Sequence, residues 1–248
     1  MLELRHVTAG YGGSPILRDI TLSFPRGTVT AILGPNGCGK STLLKCAAGL
    51  LTPTGGTVEA PQPRARSVAY LPQSRPLPEL TALQLVLHGR FPWLSWPRQY
   101  RPADFAIART ALARLGIARY ADTPLPQLSG GTRQKVYLAM ALAQDAATIL
   151  LDEPTTFLDI GCQLELMGLC RELASEGRAV AAVLHDLPLA LGHVDRIAVL
   201  SGGTLRFTGT PAQALQSGIL DQTFGIRVLQ AHTPAGQQYV CVPRQRHL

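Results

Sequence analysis

Residues 29–41 constrain this chain more than any other stretch. Val29 to Leu33 is a short apolar run of the kind a buried strand carries, and it leads straight into GPNGCGKST, which completes the pattern GxxxxGK[ST]. Residues from Leu43 to Leu50 then have helical spacing and stop at Thr52-Pro53. Strand, glycine-rich loop and helix in that order make a phosphate cradle. Backbone N–H groups can converge where no Cβ intervenes, and a helix beginning near Lys40 adds its positive dipole end. Gly34, Pro35, Asn36, Gly37, Cys38 and Gly39 are expected to form the cradle. Lys40 is expected to neutralise β and γ phosphates, Ser41 to offer its hydroxyl to Mg²⁺, and Thr42 to support the α phosphate.

A second apolar strand, Thr148 to Leu151, delivers Asp152 and Glu153 at its C-terminal edge, where open parallel sheets place ligands. Asp152 is expected to hold Mg²⁺ through water. Glu153, the next residue, points elsewhere and suits the general base that polarises an attacking water. Ser129-Gly130-Gly131-Thr132 precedes a strongly helical run from Arg133 to Gln144, with Ser129 in a capping position. That is a second phosphate site in one chain. The economical arrangement is two chains head to tail with ATP between them, so that Ser129, Gly130 and Gly131 serve the nucleotide held by the other copy.

The fold expected is α/β: a P-loop NTPase core with a parallel sheet, an N-terminal antiparallel β subdomain and an inserted α-helical subdomain. At the N-terminus Leu2, Leu4 and His6 alternate with Glu3, Arg5 and Val7, and Ile20 to Phe24 alternates again. Gly55-Gly56 reads as a turn. Prolines cluster between Pro72 and Pro102, and the helical subdomain is placed at residues 78–145 of a single 1–248 unit. Further strands are expected at Ala179 to Leu184 and Arg196 to Leu200, with a hairpin at Gly202-Gly203, a short helix after Thr210-Pro211, and a strand pair near Arg227 and Gln238.

Composition narrows the partners. With 46% hydrophobic and 16% charged residues, 248 residues can bury one sizeable core, and no apolar run approaches the ~18 to 20 residues of a membrane span. No secretory signal is visible, and five cysteines without a CxxC pair fit a reducing cytoplasm. The net charge of +7 comes from scattered arginines with no nucleic-acid motif, so nucleic acid is not an expected partner. The arginines from Arg90 to Arg119 read as a solvated helical surface. Cys38 inside the loop suggests thiol sensitivity.

With LSGGT in its place between the loop and the acidic pair, the chain resembles the ATP-binding cassette (ABC) family, whose signature is LSGGQ; Thr132 stands where glutamine is usual. The resemblance covers nearly the whole chain. It implies that Tyr11, in AGYGG, stacks on adenine, and that Gln73, in YLPQ, reaches Mg²⁺ and the attacking water. It also implies that Asp159, in TTFLD, crosses the dimer interface, and that His185, in VLHD, contacts the γ phosphate. A single short cassette without spans looks like the separate motor subunit of a bacterial importer. That layout implies a second copy, a transmembrane permease, indirectly a substrate-binding protein, and a peripheral place on the cytoplasmic face of the inner membrane. GRFPW, TTFLDI and LAMALAQ are similar to motors importing iron chelates (siderophores), with haem and cobalamin motors close by. Phe91, Trp93 and Trp96 lie where importers dock their permease, and read equally as a contact patch or a satellite core. The reading from another class is a non-transport ABC ATPase of DNA repair or regulation.

Overall fold

A computed structural model describes the whole chain apart from Arg75, Phe157, Ala235 and residues 244–248. The chain opens with β1 (Leu2–Tyr11), β2 (Ser14–Phe24) and β3 (Thr28–Leu33), then α1 (Lys40–Ala48), β4 (Gly55–Glu59), the short α2 (Arg64–Ser67) and β5 (Val68–Leu71). Three helices follow before the next strand: α3 (Ala82–His88), α4 (Pro102–Arg114) and α5 (Gly130–Ala143). Alternation then resumes with β6 (Thr148–Leu151), α6 (Ile160–Ser175), β7 (Ala179–Val183), α7 (Leu187–His193), β8 (Arg196–Ser201) and β9 (Thr204–Gly209). The chain continues through α8 (Pro211–Gln216), α9 (Ile219–Phe224) and the hairpin β10 (Ile226–Thr233) and β11 (Gly236–Pro243).

The central sheet has the order β5-β6-β7-β3-β8-β9 among the described residues, parallel except for the antiparallel β8–β9 pair. Its inner strands β6, β7, β3 and β8 are buried on both faces, as a sheet covered on both sides requires. Leu33, Leu151 and Ala182 pack into one core with the helices α3 to α6, whereas Ile32, Leu150 and Val183 pack into another with β1, β2 and α1. An antiparallel sheet of order β2-β1-β4 covers this second face. The α/β class and the antiparallel N-terminal layer are as expected.

Three local expectations are corrected. The alternation of β1 fails at His6, which has φ 52° and is exposed while Val7 is fully buried, because the β1–β2 register shifts between Leu4 and Val7. The bulge adds a residue and returns the next apolar side chain to the core. His6 Nδ1 pairs at 2.7 Å with Asp19, which also has positive φ on the facing strand. Gly55-Gly56 is not a turn but the start of β4. Gly56, at φ 74°, lies so close to the carbonyls of Arg5 and His6 that a Cβ there would strike them. The arginine-rich segment is also not simply solvated. Arg90 is buried and donates from Nε to Asp104 Oδ1 at 3.0 Å and from Nη1 to the carbonyl of Ala143, while Arg114 ties α4 to Glu172 and Glu176 on and beside α6.

Candidate active site

Four segments of the site leave the C-terminal ends of adjacent parallel strands. The glycine-rich loop follows β3, Gln73 lies two residues past β5, Asp152 and Glu153 follow β6, and His185 lies two residues past β7. Sheet order β5-β6-β7-β3 therefore brings together residues far apart in the chain. They surround a cleft of about 660 Å³ lined by Asn36, Gly37, Gly39, Lys40, Ser41 and Thr42 on one side and by Gln73, Glu153 and His185 on the other, with Ile16 and Thr156 at its edges.

The loop folds as its glycines dictate. Gly34, Gly37 and Gly39 have φ of 153°, 77° and 106°, and a Cβ on Gly39 would lie 2.7 Å from Leu17 Cδ2. Gly39 caps α1 with no side-chain partner, so the first N–H groups of that helix are left for a ligand. Helix α1 ends at Ala48, two residues before the expected Leu50, and Gly49 caps it in the left-handed region. The Lys40 ammonium is buried and donates to the carbonyls of Gly34 at 2.8 Å and Pro35 at 3.0 Å, which curls the lysine along the loop. Cys38 is only 8% exposed and burial pushes its thiol up, which argues against ready thiolate chemistry there.

The two carboxylates have different surroundings. Asp152 is 2% exposed, and burial raises its pKa against the opposing effect of its hydrogen bonds. Ser41 Oγ donates to its Oδ1 and the Tyr70 hydroxyl to its Oδ2, each at 3.1 Å. Glu153, at φ 51°, adopts a left-handed backbone unusual for its residue type, the kind of local strain that gathers at functional sites. One of its oxygens lies 2.7 Å from His185 Nε2; the other accepts from Gln73 Nε2 at 2.5 Å and from Thr156 Oγ1 at 3.4 Å. Gln73, Glu153 and His185, singled out separately in the sequence, thus form one cluster. Thr156 and Tyr70 were not singled out; a threonine beside a loop and a tyrosine in a strand carry no distinguishing pattern of their own.

Not every candidate joins this cleft. Tyr11 ends β1 as an exposed side chain, with Lys45 Nζ 5.8 Å from its ring centroid, and does not line it. Ser129, Gly131 and Asp159 line a different cleft of about 280 Å³, together with Thr132, Lys135, Arg119 and Tyr120. Gly130, the first residue of α5, adjoins them. Ser129 caps α5 as expected by accepting from Thr132 N at 3.3 Å, and Asp159 caps α6 by accepting from Cys162 N at 2.8 Å. The latter bond holds the Asp159 carboxyl below its ordinary value.

The ABC transporter family profile matches residues 17–156, from β2 through the acidic pair to Thr156. The chain belongs to the ABC transporter family. The iron(3+)-hydroxamate import ATP-binding protein FhuC of Bacillus subtilis is 38% identical over 97% of this cassette and 94% of its own length. A putative metal-chelate type ABC transporter in an inward-facing conformation superposes with a TM-score of 0.88 at 28% identity, covering 98% of this chain and 97% of that one. A dimeric bacterial ABC transporter cassette, MJ0796, superposes at 0.75 with 29% identity, over 85% of this chain and 99% of that one. This cassette is accordingly an ATP-binding ATPase subunit of the transporter type. No helix among its described residues is long and apolar enough to cross a membrane.

Proposed function

We propose that this cassette powers uptake of ferric siderophore complexes, working as two copies on a membrane permease at the cytoplasmic face of the inner membrane, with a substrate-binding protein delivering the cargo. The observation that carries the mechanism is the separation of the two clefts. The loop, Glu153 and His185 surround one, while Ser129, Gly131 and Asp159 surround another. A phosphate chain held by Gly34 to Thr42 then needs Ser129, Gly130 and Gly131 from a facing copy, and two such copies share two nucleotides.

In each shared site, Lys40 and the free N–H groups of α1 bind the β and γ phosphates, and Glu153 accepts a proton from the attacking water. His185 and Gln73 hold Glu153 from either side and free it for the water when the γ phosphate replaces Glu153 as their acceptor. Ser41 and Asp152, hydrogen-bonded to each other, and the amide oxygen of Gln73 would supply an all-oxygen donor set, the chemistry that suits a magnesium ion retaining several waters. Mg²⁺, when bound there, neutralises phosphate charge. Tyr11 is assigned to adenine and Asp159 to the interface between copies. Residues 78–145, carrying the signature and α3 to α5, act as the subdomain that transmits closure to the permease. The aromatic segment fits that contact. Trp96 is 89% exposed, while Trp93 is anchored by its Nε1 donating to the Gln144 carbonyl at 2.7 Å and by Arg66 and Arg90 near its ring.

The test is to identify the membrane protein that copurifies with this chain and to measure uptake of labelled ferric siderophores, haem and cobalamin by the complex. ATP-dependent uptake of a ferric siderophore, lost with Glu153→Gln, is expected. Uptake of haem or cobalamin alone would overturn the cargo. A soluble protein whose turnover is stimulated by DNA would overturn transport itself.

A further inference from the structure

The two consecutive carboxylates are each held from the neighbouring strand. Gln73, just past the end of β5, donates to Glu153, and Tyr70, inside β5, donates to Asp152. The register explains the second contact. Tyr70 pairs with Leu150 across the parallel β5–β6 ladder, and Asp152, two residues beyond Leu150, returns to the same face of the sheet. The backbone continues the alignment, since Asp152 N donates to the Leu71 carbonyl at 2.9 Å. Tyr70 packs against the core with Val68 and Leu150. A phenylalanine would serve that packing, so the hydroxyl adds only its hydrogen bond.

We infer that Tyr70 is a positioning residue for hydrolysis, its hydroxyl fixing the Asp152 carboxylate for the divalent cation that accompanies the nucleotide. Asp152 has two side-chain donors among the described hydrogen bonds, Ser41 and Tyr70. Ser41 is itself a candidate metal ligand, whereas Tyr70 is not. Its bond restrains the carboxylate independently of what Ser41 does, as outer partners of metal-ligating groups commonly do. Because Tyr70 lies three residues before Gln73 on one continuous segment, a displacement of that segment reaches the metal carboxylate as well as the base.

The inference rests on the nucleotide-site reading above, and Tyr70→Phe tests it by removing one oxygen atom. The full-length chain is saturated with the non-hydrolysable analogue AMP-PNP and titrated with Mn²⁺ by electron paramagnetic resonance; AMP-PNP affinity is measured separately in EDTA. Mn²⁺ affinity is expected to fall about tenfold in the variant, with metal-free AMP-PNP affinity unchanged, which also certifies the fold. Unchanged Mn²⁺ affinity would reduce Tyr70 to a packing residue, and an equal loss in EDTA would mean general distortion; either result overturns the inference. A wild-type chain that binds neither AMP-PNP nor Mn²⁺ would instead overturn the nucleotide-site reading, and this inference with it.

Discussion

His185 Nε2 lies 2.7 Å from a carboxylate oxygen of Glu153, across the ends of the neighbouring strands β7 and β6. The contact places the histidine where it can orient the base, and it defines what each side chain should contribute. Glu153→Gln keeps the shape and loses the proton acceptor. ATP turnover in the permease complex is expected to drop by about 10² to 10⁴ while ATP binding persists, since general bases typically contribute that much. Phosphate release measured beside nucleotide affinity separates the two, and undiminished turnover would remove Glu153 from the role of base.

Ser129→Arg places a bulky cation in the cleft that the signature residues share with Asp159. ATP-driven dimerisation of the Glu153→Gln protein, followed by size-exclusion chromatography with light scattering, is expected to vanish. Nucleotide binding to the monomer should survive, because Ser129 does not line the cleft of the glycine-rich loop. A dimer that still forms would contradict the shared site.

The buried Arg90–Asp104 pair anchors the segment leading into α4. The Asp104 carboxyl is held below its ordinary value of 3.8, first by the Arg101 backbone N–H and then by the Arg90 guanidinium. A lowered folded-state pKa means that the unfolded chain takes up protons first as pH falls. The stabilisation is therefore complete above pH 3.8 and is lost as pH drops through the folded-state value. Asp104→Asn should cost roughly 3 kcal/mol at neutral pH, as expected for a buried pair deprived of one partner. In urea titrations the gap between variant and wild type should narrow only in that acid window; a gap independent of pH would refute the linkage.

Cysteine reactivity should follow burial. Cys241 is exposed, whereas Cys38, Cys46 and Cys170 are buried; desolvation raises all four thiols, so access is what separates them. Maleimide labelling of the native chain, read by peptide mass, is expected at Cys241 well before Cys38. Rapid modification of Cys38 that blocks ATP binding would restore the thiol-sensitive loop.

The sequence was most informative where chemistry restricts residue choice. The glycine-rich loop, the acidic pair after β6 and the Ser129 cap are specified by short-range patterns whose physics is local, and their segments fold accordingly. It was least informative where tertiary contact decides. His6 breaks its strand's alternation because the bulge is set jointly with Asp19 and Gly56 on the two neighbouring strands. β5 is only four residues long and becomes a strand by pairing with β6, so neither it nor the hydroxyl of Tyr70 stands out along the chain. Arg90 and Arg114 appear as part of a charge-rich surface until α4 and α6 supply their partners.

The division of the nucleotide machinery between two separate clefts has a genetic corollary. If every working centre draws residues from both members of a pair, a copy altered at Ser129 spoils the centre it completes for its partner, and only a pair of two intact copies keeps both centres. In a cell expressing intact and Ser129-altered alleles together, two-centre transport would fall as the square of the intact fraction, and the altered allele would be dominant over the functional one.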